Sequence, residues 1–231
     1  MEALTAVISD AKIRGAEEFY SVGDVVGYGP EPQACIRILQ DIRAKVVAGN
    51  HDWAVIKKID INSFNPFARS SILWTMDHLD QSDIDFLSEL PLTINTSTFN
   101  IVHGTLHSPH NFYYMQSIFD AESSFQVMTR PLCFCGHSHV PINFHLRNGE
   151  ILYDQDPITH LGNHMDAKHI INVGSVGQPR NGNPKSMYAL YDLKENSVYF
   201  HIVEYDLELT IHKILESGLP EYNAERLRVG H

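Results

Sequence analysis

A chain of 231 residues, 43% hydrophobic and only 19% charged, has the makeup of a soluble globular protein with a sizeable core, which excludes a disordered chain. Its formal charge of −11 argues against the phosphate backbone of DNA or RNA as a main partner, so no stable nucleic-acid binding is expected. A phosphorylated small molecule or nucleotide stays open, because bound divalent cations reverse the sign locally.

Leu4, Val7, Ile8 and Ala11 recur at helical spacing, so residues 2–14 read as an amphipathic helix closed by Gly15. Residues 19–22 read as a strand running into Gly23-Asp24-Val25-Val26-Gly27-Tyr28-Gly29-Pro30, a loop whose backbone bends closely around something. A helix over 31–43 leads to a buried strand at 45–48, which breaks at Gly49 into Asn50-His51-Asp52. That string alone is as compatible with a polar turn as with a functional loop. Helices are expected over 64–79 and, from Ser82, over 82–89, with short strands at 92–96 and 99–102, the latter ending at His103-Gly104. A polar and aromatic loop holding His107, His110, Tyr113 and Tyr114 precedes a helix over 120–129.

Residues 132–135 read as a buried strand ending at Gly136-His137-Ser138-His139. Two strands at 142–146 and 151–153 flank Asn148-Gly149, a strong hairpin signal. Residues 154–169 read as a mobile loop, and Gly162-Asn163-His164 within it as loop because no apolar strand precedes it. A strand at 170–173 ends in Gly174-Ser175-Val176-Gly177-Gln178-Pro179-Arg180, a hairpin follows over 187–193 and 197–204, and a closing helix breaks at Gly218-Leu219-Pro220. No linker divides the chain, so one domain is expected over 1–231, with 206–231 as a helical segment packed on it.

No apolar run reaches the ~18 residues of a membrane span, and the opening residues lack the basic and apolar regions of a secretory signal. The odd set Cys35, Cys133 and Cys135 points to a reducing compartment, so a cytoplasmic protein is expected. Cys133-x-Cys135 alternates like one face of a strand and lacks the usual spacing of a thiolate site, so both read as core.

Alternating strands and helices, with Gly-plus-polar loops at strand ends, indicate α/β packing in which sites collect at the carboxyl ends of the strands. Asp24 and Asn50 are then neighbours, and His103, His137 and His139 end other apolar strands. A lone strand-end histidine is more often structural than a ligand, but packing does not explain all of these together. They suit a two-metal centre. Asp24 can bridge two cations, Asn50 offers a carbonyl oxygen, and the three histidines offer imidazole nitrogens, a mixture that favours Mn, Fe, Zn or Ni over Mg or Ca. Ser138 is the expected hinge that turns both His137 and His139 inward. Two metals about 3.5–4 Å apart can generate a hydroxide and hold the attacking and leaving oxygens of a phosphoryl displacement. His51 is the candidate general acid and Asp52 the residue expected to orient its imidazole.

Together, Gly-Asp24-Val-Val-Gly-Tyr-Gly-Pro, Gly-Asn50-His51-Asp52, His103-Gly, Gly-His137-Ser-His139 and Gly174-Ser-Val-Gly-Gln-Pro-Arg180 resemble the calcineurin-like metallophosphoesterase superfamily, in its small single-domain bacterial and archaeal branch. The resemblance implies a two-sheet β-sandwich flanked by helices (αββα) and metal-dependent hydrolysis of a phosphomonoester, phosphodiester or nucleotide. It implies one metal held by Asp24, Asn50, His103 and His137, and another held by Asp24, His139 and an opening Asp-x-His. It speaks against the protein Ser/Thr phosphatase branch, because the loop after Asp24 lacks an arginine.

The opening Asp-x-His is not found. Asp10 lies inside the helical pattern, only 14 residues before Asp24 and without a following histidine, so it reads as a solvated helix residue. The sequence is therefore expected to start downstream of the natural N-terminus. The alternative to an enzyme is a non-catalytic binding or scaffold protein on the same fold. Arg180 is expected either to clamp a phosphate or to pair structurally, and His107 and His110 either to touch substrate or to lie exposed. His78, His145, His201 and His212 read as ordinary surface or strand residues.

Overall fold

The computed structural model describes residues 1–162 and 167–231. Val7, Ile8 and Ala11 are buried along α1 (Glu2–Ile13), as their spacing predicts, while Ala3 rather than the expected Leu4 completes the buried stripe. Only Tyr20–Ser21 of the first expected strand pair as β1, and after α2 (Pro32–Asp41) only Lys45–Val46 pair as β2, parallel to β1. The chain stays extended and fully buried at Val47 and Ala48. The segment after Gly49, expected to be a loop, is helix α3 (Asn50–Val55), with Gly49 as its N-cap.

Helices α4 (Pro66–Met76) and α5 (Gln81–Glu89) begin at side-chain caps. Asn65 accepts from the Ala68 N–H at 2.9 Å, and Asp80, not Ser82, accepts from the Asp83 N–H at 3.1 Å. Strand β3 (Thr93–Asn95) pairs antiparallel with β4 (Phe99–Val102), and α6 (Ile118–Val127) is capped by Ser117. Next come β5 (Leu132–Cys135), β6 (Ile142–Arg147), β7 (Glu150–Asp154), β8 (Ile158–His160) and β9 (Lys168–Asn172). The β6–β7 turn places Asn148 and Gly149 at φ +51° and +80°, the left-handed pair that their dipeptide favours.

Strand β8 corrects the expectation of a loop over 154–169. It is three residues long with only Thr159 buried, too short for a periodic signal. Asn163 and His164 lie outside the described residues. The hairpin of β10 (Ser186–Asp192) and β11 (Ser197–Val203) follows, then α7 (Leu207–Glu216) and α8 (Glu221–Val229), two helices where the sequence promised one interrupted helix.

Six strands form the main sheet, in the order β3-β4-β5-β9-β6-β7, with β4, β5 and β9 mutually parallel at its centre. Alternation within β5 sends Leu132 and Phe134 to one face and Cys133 and Cys135 to the other. The first face packs with Phe99, Ile101 and Ile171 against Val47 and Val198 of the second β layer, and this is the sandwich core. The opposite face packs under α6, where Ala121 and Phe125 meet the two cysteines, Phe144 and Ile170. Both thiols are free, and burial pushes that of Cys133 up to about 12, which makes it an inert core group.

The second β layer is split, because among the described residues β1–β2 and β10–β11–β8 share no ladder. Helix α1 covers the outer face of the β10–β11 hairpin, and the Tyr188 hydroxyl donates to Asp10 at 2.8 Å. Asp10 also accepts from Arg14 at 2.7 Å, so it is a paired helix residue remote from Asp24 rather than simply a solvated one. Helices α2 to α5 form a second apolar cluster around Ile36, Ala54, Ile72 and Leu87. The α7–α8 pair docks on α4, where Trp74 Nε1 donates to the Ser217 carbonyl and the Asn223 amide donates to Ser71 Oγ at 2.7 Å.

Phe144 is fully buried beneath α6, whereas Phe119 on the same helix is 83% exposed. Urea unfolding is expected to show a loss of about 3–5 kcal/mol for Phe144→Ala and a change within about 0.5 kcal/mol for Phe119→Ala.

Candidate metal centre

Because β1 and β2 run parallel, the loops that leave them emerge side by side. The first turns at Gly23 and Asp24, both at positive φ (+96° and +54°), which swings the Asp24 carboxylate over the second loop. There Asp24 Oδ1 accepts the His51 N–H at 2.9 Å, at the first turn of α3. A Cβ on Gly49 would collide with that carboxylate, so only glycine allows the approach.

Asp52 stitches the two loops together. One oxygen accepts from the N–H groups of Asp24 and Gly49, both at 2.9 Å, and the other accepts from the Val26 N–H at 3.2 Å. Asp52 is wholly buried, and burial with the neighbouring Asp24 charge pushes its pKa up, to about 7, against those three donors. This corrects the expected role. Asp52 holds backbone and does not orient His51, whose Nδ1 is buried with no hydrogen-bond partner.

His103, at the end of β4, is fixed by Val22. Its Nδ1 lies 2.7 Å from the Val22 carbonyl, which can only accept, so Nδ1 carries a proton and Nε2 is the nitrogen turned to the cleft. That Nε2 lies 3.1 Å from Asn50 Oδ1, 3.0 Å from His137 Nδ1 and 3.3 Å from Asp24 Oδ2. Four electron-pair donors therefore converge on one small volume, an arrangement that a single proton cannot satisfy and a cation can. Asp24, His103 and His137 each place a ligand atom within 4.8 Å of the others.

The protonation states agree with that fit. Burial, then the His103 charge, pushes His137 down to about 3, and burial, then Arg180, pushes His139 down to about 3, so both keep free lone pairs at neutrality. For Asp24, burial is outweighed by His103, His51 and His137, and its carboxyl is held well below the usual range. For His103, burial is outweighed by the Asp24 carboxylate and its pKa rises, so a bound cation takes the place of a proton on Nε2.

His137 and His139 both adopt positive φ (+67° and +61°), which is how the strand-end loop aims two imidazoles at one cleft. Ser138 sits between them as a hydrogen-bonding post. The buried Asn172, at the end of β9, donates to the Gly136 carbonyl at 2.7 Å and to Ser138 Oγ at 2.9 Å. His139 Nδ1 bonds to the Gln178 carbonyl at 2.7 Å, which leaves its Nε2 free. His139 nevertheless stands outside the tight Asp24–His103–His137 group.

The cleft above these residues has a volume of about 260 Å³, and Tyr28, His51, Phe64, Phe112, Tyr114 and Arg180 help to line it. Tyr114 stacks on His137 at 4.1 Å, and Tyr28 packs 4.5 Å from the His51 ring. Burial, partly offset by Asp24, lowers the His51 pKa. Arg180 donates to Tyr28 Oη and Gln178 Oε1, both at 3.3 Å, and its Nε is buried without a partner. The structure thus brings Asp24, Asn50, His51, His137, His139 and Arg180 to one cleft, with His103 at its floor.

It does not bring His107 there. His107 is exposed and stacked near Tyr113, and His110 is exposed as well. His145 is no ordinary surface residue, because it is buried between His169 and Asp154, with contacts of 2.9 and 2.8 Å. Asn172 and the aromatic lining escaped the sequence reading. The only trace of Asn172 is a polar residue closing the apolar run Ile170-Ile171, and Phe64, Phe112 and Tyr114 share no spacing that marks a wall.

Comparison with known proteins agrees with this geometry. The sequence model for the calcineurin-like phosphoesterase superfamily domain matches residues 1–196. The chain is 35% identical to an uncharacterized protein of Methanocaldococcus jannaschii, over all of this chain and 93% of that one. It is similar in structure to a metallophosphoesterase from Sphaerobacter thermophilus, with a TM-score of 0.85, 36% identity, and 99% and 94% of the two chains covered. A hypothetical protein from Pyrococcus horikoshii shares the fold, with a TM-score of 0.79 at 22% identity, over all of this chain and 94% of that one.

If Asp52 acts as a staple, Asp52→Asn loses acceptor capacity toward three backbone donors. The expected result is a loss of about 1–3 kcal/mol in denaturant unfolding, with cation affinity falling in parallel by calorimetry. Full stability in that variant would remove the assignment.

Proposed function

This chain belongs to the calcineurin-like phosphoesterase superfamily, and on that premise we propose that it hydrolyses a phosphate ester at the Asp24–Asn50–His103–His137 centre with a bound divalent transition metal. The observation that carries the proposal is the convergence of Asp24 Oδ2, Asn50 Oδ1 and His137 Nδ1 on the Nε2 of His103. Mixed oxygen and nitrogen donors of this kind suit Mn, Fe, Zn or Ni. When bound, such a metal supplies a Lewis acid for the phosphoryl oxygen and lowers the pKa of water.

The rest belongs to the chain. Val22 and Gln178 fix the tautomers of His103 and His139, so the lone pairs face the cleft without reorganisation. Asp24 and His139 are proposed to contribute to a second cation, held more weakly because His139 lies outside the tight group. His51 faces the cleft with a buried, unpartnered Nδ1 and is the proposed proton donor to the leaving oxygen. A phosphoryl anion bound beside it would raise its lowered pKa toward neutrality. Arg180 is proposed to take a non-bridging phosphoryl oxygen. The outer position of His139 also keeps open a reading as a metal-binding, non-catalytic protein, and turnover decides between the two.

With Mn, Fe, Zn or Ni added, the chain is expected to hydrolyse bis(4-nitrophenyl) phosphate, and EDTA is expected to stop it. Asn50→Ala, His103→Ala and His137→Ala should each lower kcat/KM by about a hundredfold or more; turnover unchanged in all three rules the centre out. His51→Ala should cost about 10²–10⁴ with an alkyl leaving group and much less with 4-nitrophenolate, which leaves without a proton. Elemental analysis should find about one tightly held metal per chain, from the single tight cluster among the described residues.

A further inference from the structure

The cleft does not end at Arg180. A second hollow of about 360 Å³ shares Asn65 and Arg180 with the first and continues to Pro66, Phe67, Tyr222 and Arg226. Its outer wall is α8, held by the buried Asn223 and Leu227 on one side, with Tyr222 and Arg226 one turn apart on the other. Phe67 stacks on Tyr222 at 4.3 Å, and the Arg226 guanidinium lies 5.4 Å from the same ring.

Two guanidinium groups thus face one hollow that no carboxylate lines among the described residues. Among the described residues neither Arg180 nor Arg226 pairs with an acidic side chain, and Arg226 Nε donates instead to the main-chain oxygen of His231. In a chain with 28 acidic residues against 17 basic ones, the two arginines share a hollow whose lining holds no acidic residue. They also act on each other, since burial, then the Arg180 charge, lowers the Arg226 pKa. Like charges held together in a half-buried hollow destabilise the empty form and favour an anion between them.

We propose that the Arg180–Arg226 arm seats a second phosphate, so that the substrates of this centre carry a phosphoryl group beyond the one cleaved. This rests on the reading of the centre as a phosphoester hydrolase. The scissile phosphoryl lies over Asn50 and His137, Arg180 is shared between the two groups, and Arg226 grips the outer one. Arg226 is then a specificity residue supplied by the C-terminal helix, and a simple monoester leaves it unused.

Calorimetric titration with methylenediphosphonate and with methylphosphonate, which are not hydrolysed, tests the arm without turnover. The chain is expected to bind the diphosphonate at least about tenfold more tightly. Arg226→Ala should reduce that preference to under about threefold, and Arg226→Lys should keep part of it, because a lysine offers charge without the bidentate fork. Arg226→Gln, which retains the stem packed on Tyr222, covers the case in which the alanine variant does not fold. Equal affinities in the unaltered chain, or an undiminished preference in both the alanine and glutamine variants, would overturn the proposal. Preference without any phosphoester turnover would sink the hydrolase reading and leave the arm standing, while turnover without preference would do the reverse.

Discussion

The two loops that form the floor of the cleft leave strands that pair over only two residues each, and a ladder that short does not fix loop geometry by itself. Asp52 supplies what the ladder lacks. Its carboxylate, fully buried, gathers the N–H groups of Asp24, Val26 and Gly49, the first of them 28 residues away from Asp52 in sequence. A hydrogen bond contributes about 0.5–1.5 kcal/mol net, so three of them on this one side chain can offset much of the cost of holding Asp24 in a left-handed conformation, a cost of about 1–3 kcal/mol. Once Asp24 is held there, its carboxylate caps α3 through the His51 N–H, and Asn50 is carried to within reach of His103.

The remaining ligands are placed by the main sheet. Strands β4, β5 and β9 are parallel neighbours, so the loops after His103, Gly136 and Asn172 open at the same edge. Each loop braces the next. The Gly136 N–H donates to the His103 carbonyl at 2.9 Å, Asn172 holds the Gly136–Ser138 turn, and the Arg180 N–H donates to the His139 carbonyl at 3.2 Å. The histidines stand on a continuous lattice of backbone bonds, which keeps their lone pairs aimed without a ligand to hold them. Such preorganisation is what a centre needs if cation binding is not to be opposed by reorganisation.

These two layers of constraint explain which parts of the centre the sequence disclosed. Asp24, Asn50, His103, His137 and His139 were readable because each follows an apolar strand, and strand-end position is a local property. The role of Asp52 is not legible in this way, because two of its three bonds run to backbone groups in another loop and no side-chain pattern records which N–H groups a fold will leave unpaired. Helix α3 was read as loop because a glycine followed by three polar residues has the composition of a turn, while its stabilisation comes from Asp24 across the cleft. The β5 alternation, the Asn148-Gly149 hairpin and the amphipathic α1 were readable for the opposite reason, since their signals lie within a few residues. The split of the second β layer and the short β8 had no such local trace.

Charge follows the same division. The chain is acidic as a whole, yet its cleft concentrates His137 and His139, kept neutral by burial, beside two arginines that pair with no acidic side chain among the described residues. An acidic exterior gives little long-range attraction to a phosphorylated ligand, and at physiological salt its field is screened beyond about 8 Å. Recognition must therefore come at contact, from a floor that accepts a cation and a rim that accepts anions. A single arginine at the rim would serve any phosphate ester. A second one, carried on a helix that Asn223 ties to α4, is kept in place against repulsion from the first, and an anion between the two would relieve that repulsion.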